Sequence, residues 1–230
     1  MSFSDEKTKI LNFFSNEGIF PSNLIETFNK EEVFLAGGAI ISLFSDSPIN
    51  DYDLFFRTEQ SFKTIKNLFK KNGWNVQFKT KSAVRITKDE IKIHLINKIY
   101  GEPIDVINNF DFQCCSCSYD FKINNFIMNK YSLKQISKRE LIYNLNTDNP
   151  TGALFRIPKY EKKGFSINNF ERLKIILAIQ QLYFETMEDV VKNLNVFYGL
   201  NQIHTTEFLS KKFNLEEFLK EIKTKDLTNL

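Results

Sequence analysis

Two acids one residue apart, Asp51 and Asp53 in "INDYDLFF", stand inside an otherwise apolar segment. On an extended strand, residues i and i+2 project to the same face. The two carboxylates would then lie side by side while Tyr52 and Leu54 turn into apolar packing. Carboxylates that close repel each other unless one is protonated or a cation sits between them. Magnesium suits such a pair, because it prefers oxygen ligands and reaches proteins through one or two carboxylates plus substrate phosphates. Two ions held there can clamp an attacking oxygen and a leaving pyrophosphate in line. Upstream, Gly37 and Gly38 lie between "EVFLAG", which reads as a strand, and "GAIISLFS", which reads as two helical turns. Glycines let the main chain approach a ligand closely, and the N–H groups of a helix start favour phosphate. Each piece alone has a plain reading: a tight turn for the glycines, a solvated strand edge or an Asx turn for the acids. In this order, with a helix between them, they would set phosphate donors opposite metal ligands.

The rest of the chain must supply elements that hold this corner. "SDEKTKILNFF" reads as an amphipathic helix capped by Ser4 and ending near Gly18, and "PSNLIETFNK" as a second short helix. "DYDLFFR" is a strand. "EQSFKTIKNLFKKNG" is a helix with Phe62, Ile65, Leu68 and Phe69 on one side and Gly73 as its stop. "WNVQFK", "SAVRIT" and "IKIHLIN" read as strands, the last two joined by the turn "KDE". "EPIDVINNF" reads as a short helix, and "FQCCSCSYD" with "KINNFIM" as a hairpin. From about Ser132 the pattern is helical, with "NTDNPTG" (146–152) as a linker, two helices across 170–197 and one more after Asn214. The order predicts a small mixed α/β sheet followed by a helical region.

Composition narrows the class. The 230 residues are 42% hydrophobic and 26% charged, enough to bury a core without staples. The 24 phenylalanines read either as aromatic-heavy packing or simply as the product of a genome rich in A and T. A net charge of +3 lacks the clustered excess of a dedicated phosphate-backbone binder. Cys114, Cys115 and Cys117 are odd in number, lack an evident fourth zinc ligand, and read as buried reduced thiols in a reducing compartment. The amino terminus does not have the pattern of a signal peptide, and no apolar run approaches the ~20 residues of a membrane span. These features predict a cytoplasmic location, in the organism or in an infected host, and no membrane partner. His94 in "KIHLI" reads as a strand histidine rather than a base, because phosphoryl transfer relies on positioning and charge neutralisation. Ser82 and Arg85 read as surface residues. Lys130, Lys134 and Lys138 share a face at helical spacing, by default a solvated one.

The segment "LAGGAIISLF…INDYDLFF" resembles the nucleotidyltransferase superfamily that includes DNA polymerase beta. Within it, the chain looks closest to the head and neck of class II tRNA CCA-adding enzymes and bacterial poly(A) polymerases, as a compact, virus-encoded relative. Gly37, Gly38, Asp51 and Asp53 match that branch's GG and D-x-D positions. "FDFQCCSCSYD" is similar to its RRDFTINA-type strand motif: Asp111 and Phe112 match, and Phe110 stands where the second arginine belongs. "ALFRIPKYEKKGF" is loosely similar to the arginine-rich neck segment, with Arg156, Lys159, Lys162 and Lys163 supplying positive charge. The acidic-and-arginine base-reading motif, E-D-x-x-R, is not present in readable form, and only about 65 residues follow Phe165, so the helical body and tail that hold tRNA have no counterpart.

The resemblance implies an α+β fold, a nucleotidyltransferase-type mixed sheet packed against helices and followed by a helical carboxyl-terminal region. It implies a head at 1–145 with the amino-terminal helices, and a helical neck at 146–230. It implies metal-dependent transfer of a nucleoside monophosphate from an NTP to an acceptor hydroxyl, with release of pyrophosphate. Asp51 and Asp53 would hold two Mg2+ ions. Asp111 would be a third catalytic carboxylate, as metal ligand or ribose contact. Gly37, Gly38 and Ser42 would hold the triphosphate, and Arg156 and Lys159 would add nucleotide contacts. The favoured acceptor is an RNA 3′ end, tRNA-like in kind. A protein or small-molecule hydroxyl is the alternative, as is a catalytically divergent module that binds nucleotide or protein.

Overall fold

The structure is a computed structural model that describes residues 3–80, 82–193 and 210–223. Helices α1 (Phe3–Phe14) and α2 (Leu24–Lys30) precede strand β1 (Val33–Ala36), helix α3 (Gly38–Phe44) and strand β2 (Tyr52–Phe56). Helix α4 (Glu59–Lys71) leads to β3 (Asn75–Lys79), β4 (Ala83–Lys88) and the long β5 (Ile91–Tyr100). Then come α5 (Pro103–Ile107), a 3-10 turn (Gln113–Cys115), β6 (Cys117–Asp120) and β7 (Asn125–Met128). The chain continues with α6 (Ser132–Lys138), α7 (Pro150–Glu161), α8 (Asn169–Gln180) and α9 (Met187–Asn193), and α10 (Leu215–Lys223) is the last described element. The expected mixed sheet packed against helices and followed by a helical region is present. The expected second helix of 170–197 is described only to Asn193.

Local chemistry explains the boundaries. Thr58 caps α4 by accepting from the Ser61 N–H, and Phe62, Ile65 and Phe69 form its buried stripe. Asn149 caps α7 by accepting from the Gly152 N–H, with Pro150 in the first turn, so the helix begins inside the stretch expected to be a linker. Ser4 lies inside α1 rather than ahead of it. Residues 113–115 form a 3-10 turn rather than the first half of a strand. There the Ser132 hydroxyl donates to the Gln113 and Ser116 carbonyls, satisfying them without a ladder.

The seven strands run in the order β3-β4-β5-β2-β1-β6-β7, and only β2 and β5 are parallel. Alternation along β2 sorts the two faces. Leu54 and Phe56 enter the main core, and Tyr52 stacks on Phe13 at 4.2 Å between ring centroids. Phe55 turns to the other face, where Phe34, Ala36, Val106 and Ile107 form a smaller cluster under α5. The main core runs from Ile10, Phe14 and Phe28 through the sheet to Ala153, Ile157, Tyr160 and Ile175, so it is continuous across residue 145. Met187, Val190, Val191 and Phe218 form a separate cluster. The three cysteines are buried and reduced. The Cys115 thiol donates to Tyr160 Oη at 3.0 Å, and burial pushes the Cys117 thiol well above its ordinary range.

Candidate active site

One transverse row of the sheet carries the polar chemistry. Phe78 on β3 pairs with Arg85 on β4, Arg85 with His94 on β5, His94 with Asp53 on β2, Asp53 with Ala36 on β1, and Ala36 with Ser118 on β6. Directly paired residues on neighbouring strands point to the same face, so the register alone brings Asp53, His94 and Arg85 into contact. Gly37 follows Ala36 and closes the row with a sharp corner (φ 77°, ψ −133°) before α3. A methyl group at Gly37 would sit 3.9 Å from Asp53 Oδ2 and 3.7 Å from Phe110. The glycine corner and the second aspartate are therefore immediate neighbours.

Gly37 and Gly38 differ in what they do. Gly37 needs the positive φ, whereas nothing lies within 4 Å of a Cβ built on Gly38. Gly37→Ala is expected to lose about 1–3 kcal/mol through backbone strain alone, since the added methyl meets only ordinary contacts. That corresponds to a melting temperature lower by roughly 2–12 °C for a chain of this size. Gly38→Ala is expected to melt within about 3 °C of the parent, so thermal denaturation of the two variants checks the asymmetry.

Asp51 lies one residue ahead of β2 and is half-buried. Asp51 and Asp53 both act on the Lys163 amine. Burial pulls that amine below the ordinary lysine range and the charge of Lys159 adds to the effect, while the two aspartates act in the opposite sense. Lys163 Nζ donates to Ser42 Oγ at 2.6 Å. Ser42 is fully buried in α3, so it meets the site through this lysine rather than through solvent. Arg139, at the end of α6, donates to the carbonyls of Ser45 and Lys163, tying the end of α3 to the turn after α7.

His94 is 5% exposed. Its Nδ1 lies 2.8 Å from Asp53 Oδ1, and its Nε2 accepts from Arg85 Nε at 2.6 Å. Arg85 is half-buried with its guanidinium 4.4 Å from the Phe78 ring centroid, rather than displayed on the surface as its sequence suggests. Sequence reasoning missed these partners. The only available clue was that His94 and Arg85 stand at matching positions of two strands joined by a short turn.

Asp111 lies outside any strand, between α5 and the 3-10 turn, and is buried. Its Oδ2 accepts from Arg156 Nε at 2.6 Å and its Oδ1 from the Phe112 N–H. The residue expected as a third catalytic carboxylate and one expected to contact nucleotide thus form one ion pair that joins α7 to the sheet side. The strand beside Asp53 presents His94, and Asp111, expected as the third carboxylate, lies on no strand. Among the described residues, no three of His, Cys, Asp and Glu cluster so as to hold a metal ion. Lys159 and Lys162 are exposed on and just after α7, as are Lys130, Lys134 and Lys138 around α6. Among the described residues, no helix is long and apolar enough to cross a membrane.

Comparison with solved structures places the fold. The chain is similar to the Thermotoga maritima CCA-adding enzyme complexed with tRNA, at 14% identity and a TM-score of 0.59 over 99% of this chain and 54% of that one. It is similar to an apo CCA-adding enzyme at 14% identity and a TM-score of 0.56, covering 97% and 55% of the two chains. A tRNA nucleotidyltransferase bound to a primer tRNA and an ATP analogue matches at 11% identity and a TM-score of 0.53, covering 87% and 60%. The nucleotidyltransferase fold expected from the sequence is therefore present, and the chain spans little more than half the length of these relatives. A protein called Gabija anti-defense 2, from Bacillus phage SPbetaL7, is 32% identical over 228 residues, covering 96% of this chain and 54% of its own length. The family described as Gabija anti-defense 2 family protein matches residues 4–139. With a family match over more than half of its residues and a relative aligned along nearly all of it, the chain belongs to the Gabija anti-defense 2 family.

Proposed function

We propose that this chain is a metal-dependent nucleotidyltransferase that moves a nucleoside monophosphate from an NTP to an acceptor hydroxyl and releases pyrophosphate. The observation that carries this reading is the closeness of Asp53 Oδ2 to the Gly37 corner, 3.9 Å from where a Cβ would stand, with Asp51 and Asp53 both opposing the burial-driven lowering of one lysine amine. The donors on offer are carboxylate oxygens, partly open to solvent, which is the ligand chemistry magnesium takes. Asp51 and Asp53 would hold Mg2+, which supplies charge neutralisation at the transferred phosphate and at the leaving pyrophosphate. Lys163, steadied by Ser42 and Arg139, offers a cation to the triphosphate. Lys159 adds a second charge beside it, and Gly37 and Gly38 let the main chain close against the phosphates. The Asp111–Arg156 pair holds the wall against which the nucleoside would lie, with Arg156 the more open partner.

The fold neighbours named for tRNA favour an RNA 3′ end as acceptor. The family's anti-defense description supports a second acceptor, a hydroxyl on a component of the Gabija defense, met in the cytoplasm of an infected cell. Incubation with each radiolabelled NTP, total cellular RNA and total cellular protein separates the two by which polymer becomes labelled. A thermal shift with each NTP gives the simpler check. We expect stabilisation that requires magnesium, about 2.7 kcal/mol at a hundredfold excess over Kd. Stabilisation that ignores the metal would support a binding module instead.

A further inference from the structure

Resting on the transferase reading above, we infer that His94 is a positioning residue that grips Asp53 Oδ1, so that this aspartate meets a divalent cation through Oδ2 alone. Arginine has donors and no acceptor. Arg85 Nε at 2.6 Å from His94 Nε2 therefore requires that nitrogen to accept. The ring hydrogen is then on Nδ1, which donates to Asp53 Oδ1 at 2.8 Å. The second nitrogen of the imidazole is thus set by its partner, as in metal sites where an outer group orients an inner one. Phe78, stacked under the Arg85 guanidinium, steadies the far end of the row.

Both ring nitrogens are engaged and the ring is almost fully buried, so His94 has no nitrogen to take a proton from an acceptor hydroxyl. The grip also fixes the geometry of the carboxylate. With Oδ1 bound from the β5 side, Oδ2 faces the Gly37 corner, 3.9 Å from where a Cβ would stand there. That is the side on which phosphate oxygens would approach. A neutral donor on this strand adds no third negative charge beside Asp51 and Asp53, so Asp53 keeps one orientation without additional repulsion.

The test has two arms. The chain holds two histidines, His94 and His204, so 15N spectra of the imidazoles need only two assignments. We expect His94 to show a hydrogen on Nδ1 and none on Nε2, and the reverse tautomer would overturn the inference. The second arm measures Mn2+ binding by titration calorimetry in the parent, His94→Asn and His94→Phe, with magnesium-dependent ATP affinity alongside. Asn keeps an N–H where Nδ1 stands and Phe removes it. The Phe variant is expected to bind Mn2+ about tenfold more weakly, or worse, and Asn to stay within about threefold of the parent. Equal binding by Phe and parent, or equal loss in Asn and Phe, would sink the role of His94 and leave the transferase reading standing. A parent protein that binds no Mn2+ would sink the transferase reading and this role with it, whatever tautomer the spectra show.

Discussion

Replacing Asp51 and Asp53 together with alanine is expected to leave the fold intact and to abolish label transfer from every NTP. Neither side chain belongs to a hydrophobic core cluster, so truncating them opens no cavity among packed apolar groups. The stability change is expected to be about 1–3 kcal/mol, because the buried His94 N–H loses its acceptor, read as a cooperative transition with a melting temperature lower by roughly 2–12 °C. The chemical loss is far larger. Phosphoryl transfer gives a protein little covalent work, so its rate comes from charge placed where the transferred group and pyrophosphate develop theirs. Losing the two groups that would hold that charge is expected to cut transfer by at least about a thousandfold. The isosteric pair Asp51→Asn and Asp53→Asn keeps the volume and removes the charge, so it should fail equally. Undiminished labelling by either double variant would refute the assignment of the site.

The second large effect concerns stability. Arg57 stands one residue beyond β2, and its side chain is only 8% exposed. Its Nη2 donates to Asp120 Oδ2 at 2.7 Å, its Nε to Glu102 at 2.9 Å, and its Nη1 to the Glu32 carbonyl at 3.0 Å. The Asp120 side chain is 1% exposed. Arg57 therefore fastens the end of β2 to the end of β6 and to the residue before β1, the three strands whose register places Asp53 beside Gly37. Among the described residues, Arg57→Met would leave the buried Asp120 carboxylate with only the Lys122 N–H to bind it. Breaking a buried pair in this way costs about 3–5 kcal/mol. The melting temperature should then fall by roughly 6–20 °C. Arg57→Met with Asp120→Leu removes both charges and should recover much of that loss, because an apolar pair pays no desolvation penalty. A single variant that melts within about 2 °C of the parent would show that water reaches Asp120. Arg57→Lys should not rescue the pair, since an ammonium cannot reach three acceptors in one plane.

Residues close in the chain were legible because local rules govern them. The alternation of "DYDLFF" does place Leu54 and Phe56 in one core and Phe55 against another, and the glycine corner does separate a strand from a helix. The helix over residues 59–71 follows from its stripe and its cap. The expected linker stretch is non-helical only to Asn149, because Pro150 reads as a breaker but is tolerated in a first helical turn, where its missing N–H costs nothing. The strand expected at 113–115 is a 3-10 turn because a serine hydroxyl 16 and 19 residues from the carbonyls it binds replaces the ladder bonds, a partner no local pattern reveals.

By itself, the amino-acid sequence determined the acidic pair, the glycine corner and the strand and helix that carry them, because periodicity and backbone freedom act over a few residues. Only the tertiary structure decided what surrounds them. His94 meets Asp53 across 41 residues, Arg156 meets Asp111 across 45, and Lys163 meets Ser42 across 121. Such contacts depend on strand register and on the packing of α7 against the sheet, which arise from the burial of the whole core. No spacing within a short window records them.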